Sequence, residues 1–171
     1  VAGAGGLLLT QGYRMERITV WLDPAASEKG HQTIQGLYAI GSGGLFGKGL
    51  GQSMQKLGFL PEANNDMIFS VICEELGLFG ALCVLALFFA LIWRFMVIAV
   101  NAPDLYGSMI VVGVIAHIGI QVFINIAVAT NTIPNTGIPL PFISYGGSSL
   151  VFMLLEMGLV LSVSRYINVK K

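Results

Sequence analysis

Charge is scarce in this sequence. Its 171 residues include nine basic and nine acidic side chains, 11% of the chain, for a formal net charge of zero. A soluble domain carries roughly 25% charged residues, so there are too few here to cover a water-facing surface. That excludes an ordinary soluble enzyme and a disordered tail. With no basic excess and no basic stripe, nucleic-acid binding is excluded as well. Cysteine is nearly absent: Cys73 and Cys83 lie ten apart on one expected helix, roughly 15 Å by helical rise. That is too far for a disulfide, so both are expected as free, buried thiols, and a disulfide-stapled secreted module is excluded.

What the chain has instead is apolar sequence, 55% hydrophobic with a mean hydropathy of +0.79. It opens at Val1 inside an apolar run with no basic segment ahead of it. This reads as the end of a membrane span in a longer protein and not as a signal peptide. From Leu76 to Trp93, 18 consecutive residues are uncharged, and Arg94 closes the run. A span needs about 20 largely apolar residues, which predicts a helix over 67–98. Leu105 to Leu155 is uncharged for 51 residues, too long for one span, and the polar insert Asn131 to Pro141 divides it. Spans are expected at 106–130 and 145–164.

The expected fold is all-α, a polytopic integral membrane helix bundle with a long structured extracellular loop. Arg165, Lys170 and Lys171 near the C-terminus, with Arg94, put those ends in the cytoplasm by the positive-inside tendency. The resulting plan has 1–11 ending a span, an extracellular loop over 12–66 and an extracellular re-entrant loop over 131–144. The tail 165–171 is cytoplasmic.

The segment Gln11 to Asp66 holds ten of the 18 charged residues, and Gly41 to Gly51 has six glycines in eleven positions. Loops this long are functional or disordered. Its scattered Tyr13, Trp21, Tyr38, Phe46 and Phe59 predict an ordered cap against the membrane. The glycine run is not a Walker loop: Ser42 stands where the first glycine belongs and Gly49 follows Lys48. It offers exposed N–H groups and one cation to an anion such as a pyrophosphate, or else it is a tight re-entrant turn.

Asp66 immediately precedes the apolar run from Met67, so it reads either as a helix cap or as a half-buried carboxylate fit for general-base work, with Glu62 nearby. Glu74, Glu75 and Glu156 fall at membrane depth, where ionisable groups face a protein interior or a wet cavity. His117, Gln121 and Asn125 recur every four residues on one helix face, a pattern that suits interhelical packing or a polar path. In the insert, Ser144, Ser148 and Ser149 flank Gly146 and Gly147 at the start of the last span. They could cap that helix or present donors to an anion at its positive end.

Three separated stretches carry a family likeness. They are Tyr13 to Ile18 with Asp23-Pro24; Ala39 to Gly51 running through Leu60-Pro61-Glu62 to Asn65-Asp66-Met67-Ile68-Phe69 and Glu74-Glu75-Leu76-Gly77; and Pro139-Leu-Pro-Phe-Ile-Ser-Tyr-Gly-Gly-Ser-Ser149. Together they resemble the SEDS family of polytopic bacterial membrane proteins (FtsW, RodA and SpoVE), over nearly the whole chain and matching the C-terminal part of that family. The version from Asn131 to Gly137 is similar to the division and sporulation members more than to RodA.

The resemblance implies a peptidoglycan glycosyltransferase polymerising lipid II at the outer face of the bacterial cytoplasmic membrane. Its essential aspartate corresponds to Asp66, although Met67 stands where the family usually has Phe. A class B penicillin-binding protein is the implied transpeptidase partner, alongside lipid II and the membrane lipids. Asp66 is expected to deprotonate the acceptor sugar in an inverting transfer. Lys48, with Arg14, Arg17 or a divalent cation, is the candidate counter-charge for the pyrophosphate. Glu62, Gln32, Ser144, Gly146, Gly147 and Ser148 complete the expected substrate-binding set. His31, where Tyr or Trp is common, has no assigned role. The rival readings are a lipid II flippase using the polar face of His117, Gln121, Asn125, Glu74 and Glu156, and a non-catalytic scaffold for the transpeptidase.

Overall fold

The computed structural model describes residues 17–26, 30–53 and 65–167. It contains helices α1 (His31–Gly43), α2 (Ile68–Val100), α3 (Leu105–Ala129) and α4 (Gly147–Arg165), and no strand among the described residues. A helical turn at 17–22 and a 3-10 turn at Pro24–Ala26 precede α1. The segments 1–11 and 168–171 lie outside the described residues.

Helices α2, α3 and α4 are each long and apolar enough to cross a membrane. At most 28% of the most apolar 18-residue stretch of any of them is buried within the protein. Large side chains such as Leu87, Phe89, Trp93, Met109, Phe123 and Phe152 stand exposed around them. Helices apolar on every face need an apolar solvent, so the chain is an integral membrane protein.

The shared core is narrow. Phe88, Phe95 and Ala99 of α2 meet Val111, Val114, Ile118 and Val122 of α3, with Met153 and Val160 of α4 and Leu140 of the insert. Helices α2 and α3 join through a tight turn. Asp104, in extended backbone, caps α3 by accepting from the Gly107 N–H at 3.4 Å, and the Ser108 hydroxyl donates to Ala99 O at 2.8 Å.

Two features differ from the sequence expectation. Helix α1 lies inside the stretch read as loop. And α2 is not one continuous helix: Gly77 sits at φ 68°, ψ −166° and breaks it after two turns. A break leaves carbonyls and amides unpaired, and the glycine loop after α1 supplies their partners. Lys48 N donates to Glu74 O and Gly49 N to Glu75 O, both at 2.9 Å. On the other side, Leu78 N donates to Gly44 O at 2.9 Å and Phe79 N to Leu45 O at 3.2 Å. The backbones approach so closely that a Cβ on Gly47 would stand 2.2 Å from Glu75 O. Gly43 and Gly47 are therefore required by contact, and the run is a docked re-entrant turn.

Both cysteines are free, but only Cys73 is buried; Cys83 is exposed, beyond the break and among the outward-facing Phe79 and Leu82. That corrects the expectation of two buried thiols: ten residues apart they face different sides of α2, and only the side of Cys73, Ala81 and Phe88 turns inward.

Candidate functional site

The turn leading into α2 is where three elements converge. Asp66 is only 6% exposed, more deeply enclosed than the half-buried group expected. Its Oδ1 accepts from Gln32 Nε2 on the first turn of α1 at 3.3 Å. Helix α1 reaches this close because Gly36 lies over Ser70, where a Cβ would come within 3.3 Å of the Ser70 hydroxyl. The cap position of α2 is Met67, with no side-chain capping bond. Asp66 is thus not a helix cap, and its carboxylate meets the neighbouring helix instead.

The insert after α3 closes on the same turn. Asn125, 1% exposed, donates from Nδ2 to Asp66 O and to Ile138 O, each at 2.8 Å. Ser144 donates its hydroxyl hydrogen to Asn65 O at 2.6 Å and accepts from Leu140 N at 2.7 Å. The insert is also tied to the segment before α1, through Arg17 Nη1 to Asn135 O at 2.7 Å and Trp21 Nε1 to Asn131 O at 2.9 Å. Its path needs left-handed backbone at Asn131 and Gly137, with φ 54° and 69°.

An open groove of about 380 Å³ runs along the end of the insert, lined by Ile68, Phe142, Ser144, Gly146, Gly147 and Leu150 among others. Gly146 is the cap residue of α4, in extended backbone and without a side-chain capping bond. The serines expected to cap α4 therefore do not, and the positive end of the helix dipole lies at Gly146 and Gly147, which line the groove. Ser148 is exposed but does not line the groove.

Lys48, in the loop after α1, reaches α2 two helical turns beyond Asp66, where its Nζ lies 2.7 Å from Glu74 Oε1. Glu74 is wholly buried, and its Oε2 accepts from the Ser53 hydroxyl at 2.5 Å. The lysine is one-third exposed, so its charge is shared between this internal pair and the surface. Further along α3, His117 Nδ1 and Glu156 Oε1 are 2.7 Å apart, joining α3 to α4, with the His117 side chain about half exposed and so not turned into the bundle as the polar face suggested. Gln121 Oε1 and Glu156 Oε2 are buried there without hydrogen-bond partners. Arg14 and Glu62 lie outside the described residues. Among the described residues no cluster of three His, Cys, Asp or Glu could hold a metal ion.

The structure therefore gathers Asp66, Gln32, Asn125 and Ser144 at one turn and sets the groove at Gly146–Gly147 beside it. Lys48 is assigned to a separate ion pair. Sequence reasoning placed Asn125 on a polar face but not at Asp66. Its four-residue spacing from Gln121 marked the face, while the partner carbonyls carry no side-chain signal.

A family model described as "Cell cycle protein" (FtsW, RodA, SpoVE) matches residues 1–169. Stage V sporulation protein E of Bacillus subtilis (strain 168) is 55% identical over 170 residues, covering 97% of this chain and 46% of that protein. A probable peptidoglycan glycosyltransferase FtsW of Geobacter sp. (strain M18) is 44% identical over 160 residues, covering 92% and 44% respectively. A chain solved in a study of structural coordination of polymerization and crosslinking by a peptidoglycan synthase complex aligns with a TM-score of 0.70 at 31% identity. That match covers 92% of this chain and 43% of the solved one. The chain thus spans under half the length of the relatives it matches.

Proposed function

Because the chain belongs to the FtsW/RodA/SpoVE family of cell cycle proteins, we propose that the protein containing it is a peptidoglycan glycosyltransferase. It polymerises lipid II into glycan strands at the outer face of the bacterial cytoplasmic membrane during division, sporulation or cell-shape maintenance. The observation that carries this reading is the enclosed Asp66 at the start of a membrane-spanning helix, its carboxylate accepting from Gln32 of α1 and its backbone carbonyl from Asn125 of α3.

In this reaction the acceptor's GlcNAc 4-hydroxyl attacks the anomeric carbon of the donor's MurNAc. The new C1–O4 bond forms as the bond from C1 to the phosphate oxygen breaks, and configuration inverts. Asp66 takes the hydroxyl proton, and undecaprenyl pyrophosphate leaves as the anion. One base suffices for inversion, without the close nucleophilic carboxylate of a retaining enzyme. Enclosure suits the task, since a carboxylate removed from water is a stronger base. Gly146 and Gly147 line the groove at the start of α4, and the amides of that helix end, with the exposed Ser148 hydroxyl, are the donors assigned to the pyrophosphate. Ser144 lines the same groove, with its hydrogen committed to Asn65. Gln32 orients the base, and Arg17 ties the segment before α1 to the insert; the substrate-binding roles proposed for Glu62 and Arg14 fall on residues outside those described.

Lys48 serves as counter-charge to the extent that Glu74 releases it. A divalent cation is the other source of positive charge. The described residues offer no ligand cluster for one, and no step here runs through it. The solved peptidoglycan synthase complex among the structural matches supports a class B penicillin-binding protein as crosslinking partner.

The test is polymerisation of lipid II by the full-length protein and its Asp66→Asn variant, in parallel with transbilayer movement of lipid II in vesicles. Loss of glycan polymer in a variant that folds and binds its partner supports the glycosyltransferase. Intact polymer would refute it: lost lipid movement would then indicate a flippase, and no change in either a scaffold.

A further inference from the structure

The consecutive carbonyls of Asn65 and Asp66 are each held by a side chain from another element, Asn65 O by Ser144 and Asp66 O by Asn125. Both holding groups are two-ended. The amide nitrogen of Asn125 carries two hydrogens, one for Asp66 O on the turn and one for Ile138 O on the insert. The Ser144 hydroxyl donates to Asn65 O while accepting from Leu140 N on the insert. Two side chains therefore rivet the turn to residues 138–140 at adjacent points. The orientation of the Asn125 amide follows from its neighbours, because turning it over would set Oδ1 against two carbonyl oxygens. Its flanking side chains on α3, Val122 and Val128, are buried and apolar. Packing alone would be met by another such residue, whereas holding two buried carbonyls needs a double donor.

We infer that Asn125 is a positioning residue for Asp66, with Ser144 as its second fastening, fixing where the carboxylate stands relative to the groove at Gly146–Gly147. This deepens the glycosyltransferase reading and rests on it. A base displaced by about an ångström loses rate without losing substrate affinity. The role is therefore visible in kcat and in the pH dependence of kcat, which reports the base in the enzyme–substrate complex.

The experiment uses full-length protein in detergent with lipid II as substrate, comparing Asn125→Leu and Ser144→Ala with Asp66→Asn as control. Rates are normalised to the monodisperse, folded fraction. The expected result is a tenfold or greater fall in kcat for Asn125→Leu and a smaller fall for Ser144→Ala. KM should stay within about twofold, and the acid limb of the kcat–pH profile should move in both. A purely structural role would lower the folded fraction and leave normalised kcat and the acid limb unchanged, which would overturn the inference. If Asn125→Leu does not fold, Ser144→Ala decides by the same two readouts. A raised KM at unchanged kcat in Ser144→Ala would assign that hydroxyl to substrate holding and overturn its role as a fastening. Activity retained in Asp66→Asn would instead remove the base itself, a failure of the glycosyltransferase reading and distinguishable from the others.

Discussion

Lys48 and Glu74 form an ion pair at 2.7 Å in which the carboxylate is wholly buried and the ammonium one-third exposed. Removing one member of a buried pair strands the other charge, at about 3–5 kcal/mol. The exposure of Lys48 puts this case near the lower end. Lys48→Met should therefore lower the melting temperature of the full-length protein in detergent, and adding Glu74→Gln should recover more than half of the loss. The double variant also isolates the role of the cation: if it is stable but polymerises slowly, Lys48 acts on the pyrophosphate.

Gly47→Ala puts a methyl group 2.2 Å from Glu75 O at a residue with φ 76°. Left-handed backbone alone costs roughly 1–2 kcal/mol for a residue with a Cβ, and the clash with a fixed carbonyl adds to it. Yield of monodisperse protein should collapse. Gly41→Ala is the control, since a Cβ there meets nothing within 4 Å on a helix. It should be neutral or stabilising by up to about 1 kcal/mol. Equal yields for the two variants would contradict the docking of the loop onto α2.

Gln32→Leu removes a donor from the Asp66 carboxylate. Hydrogen bonds to a charged form favour it, so their loss lets the group take up a proton more readily. On the proposed mechanism polymerisation needs the unprotonated carboxylate, so activity should then fail at a higher pH on the acid side than in the parent protein. At 3.3 Å the bond is long, so the displacement should be modest. An acid limb that stays in place or moves to lower pH would contradict the contact.

His117 and Glu156 offer a test of the polar-path reading. Replacing one alone leaves a polar group without its partner between apolar helices, and Glu156→Leu should destabilise the bundle. Replacing both with Leu should bring stability back to within about 1 kcal/mol of the parent, measured by thermal melts. Polymerisation should survive in the double variant. Loss of lipid II movement with intact polymer would assign the pair to transport.

Legibility in the sequence followed the physics of each feature. The all-helical membrane class was readable because hydrocarbon excludes charge, and the charge-free runs around Leu76–Trp93 and Leu105–Leu155 announce it. The family motifs marked Asp66. The break at Gly77 was hidden, since one glycine in an apolar run is compatible with a continuous helix. Only the carbonyls and amides of residues 44–49 reveal why it breaks. Helix α1 was missed because its composition, His31-Gln-Thr-Ile-Gln-Gly-Leu-Tyr, carries neither a clear apolar stripe nor a capping side chain. Asn125 at Asp66 was invisible for a similar reason: its partners are backbone oxygens distant in sequence.

The interruption of α2 divides its duties between two surroundings. Below Gly77, residues 78–100 rise about 34 Å at 1.5 Å each, close to the thickness of a bilayer's oily interior. Above it, the two short turns bearing Glu74 and Glu75 are sewn to the strap that follows α1. A thicker or thinner lipid sheet is therefore met by the lower rod, while the perch of Asp66 is anchored to protein alone.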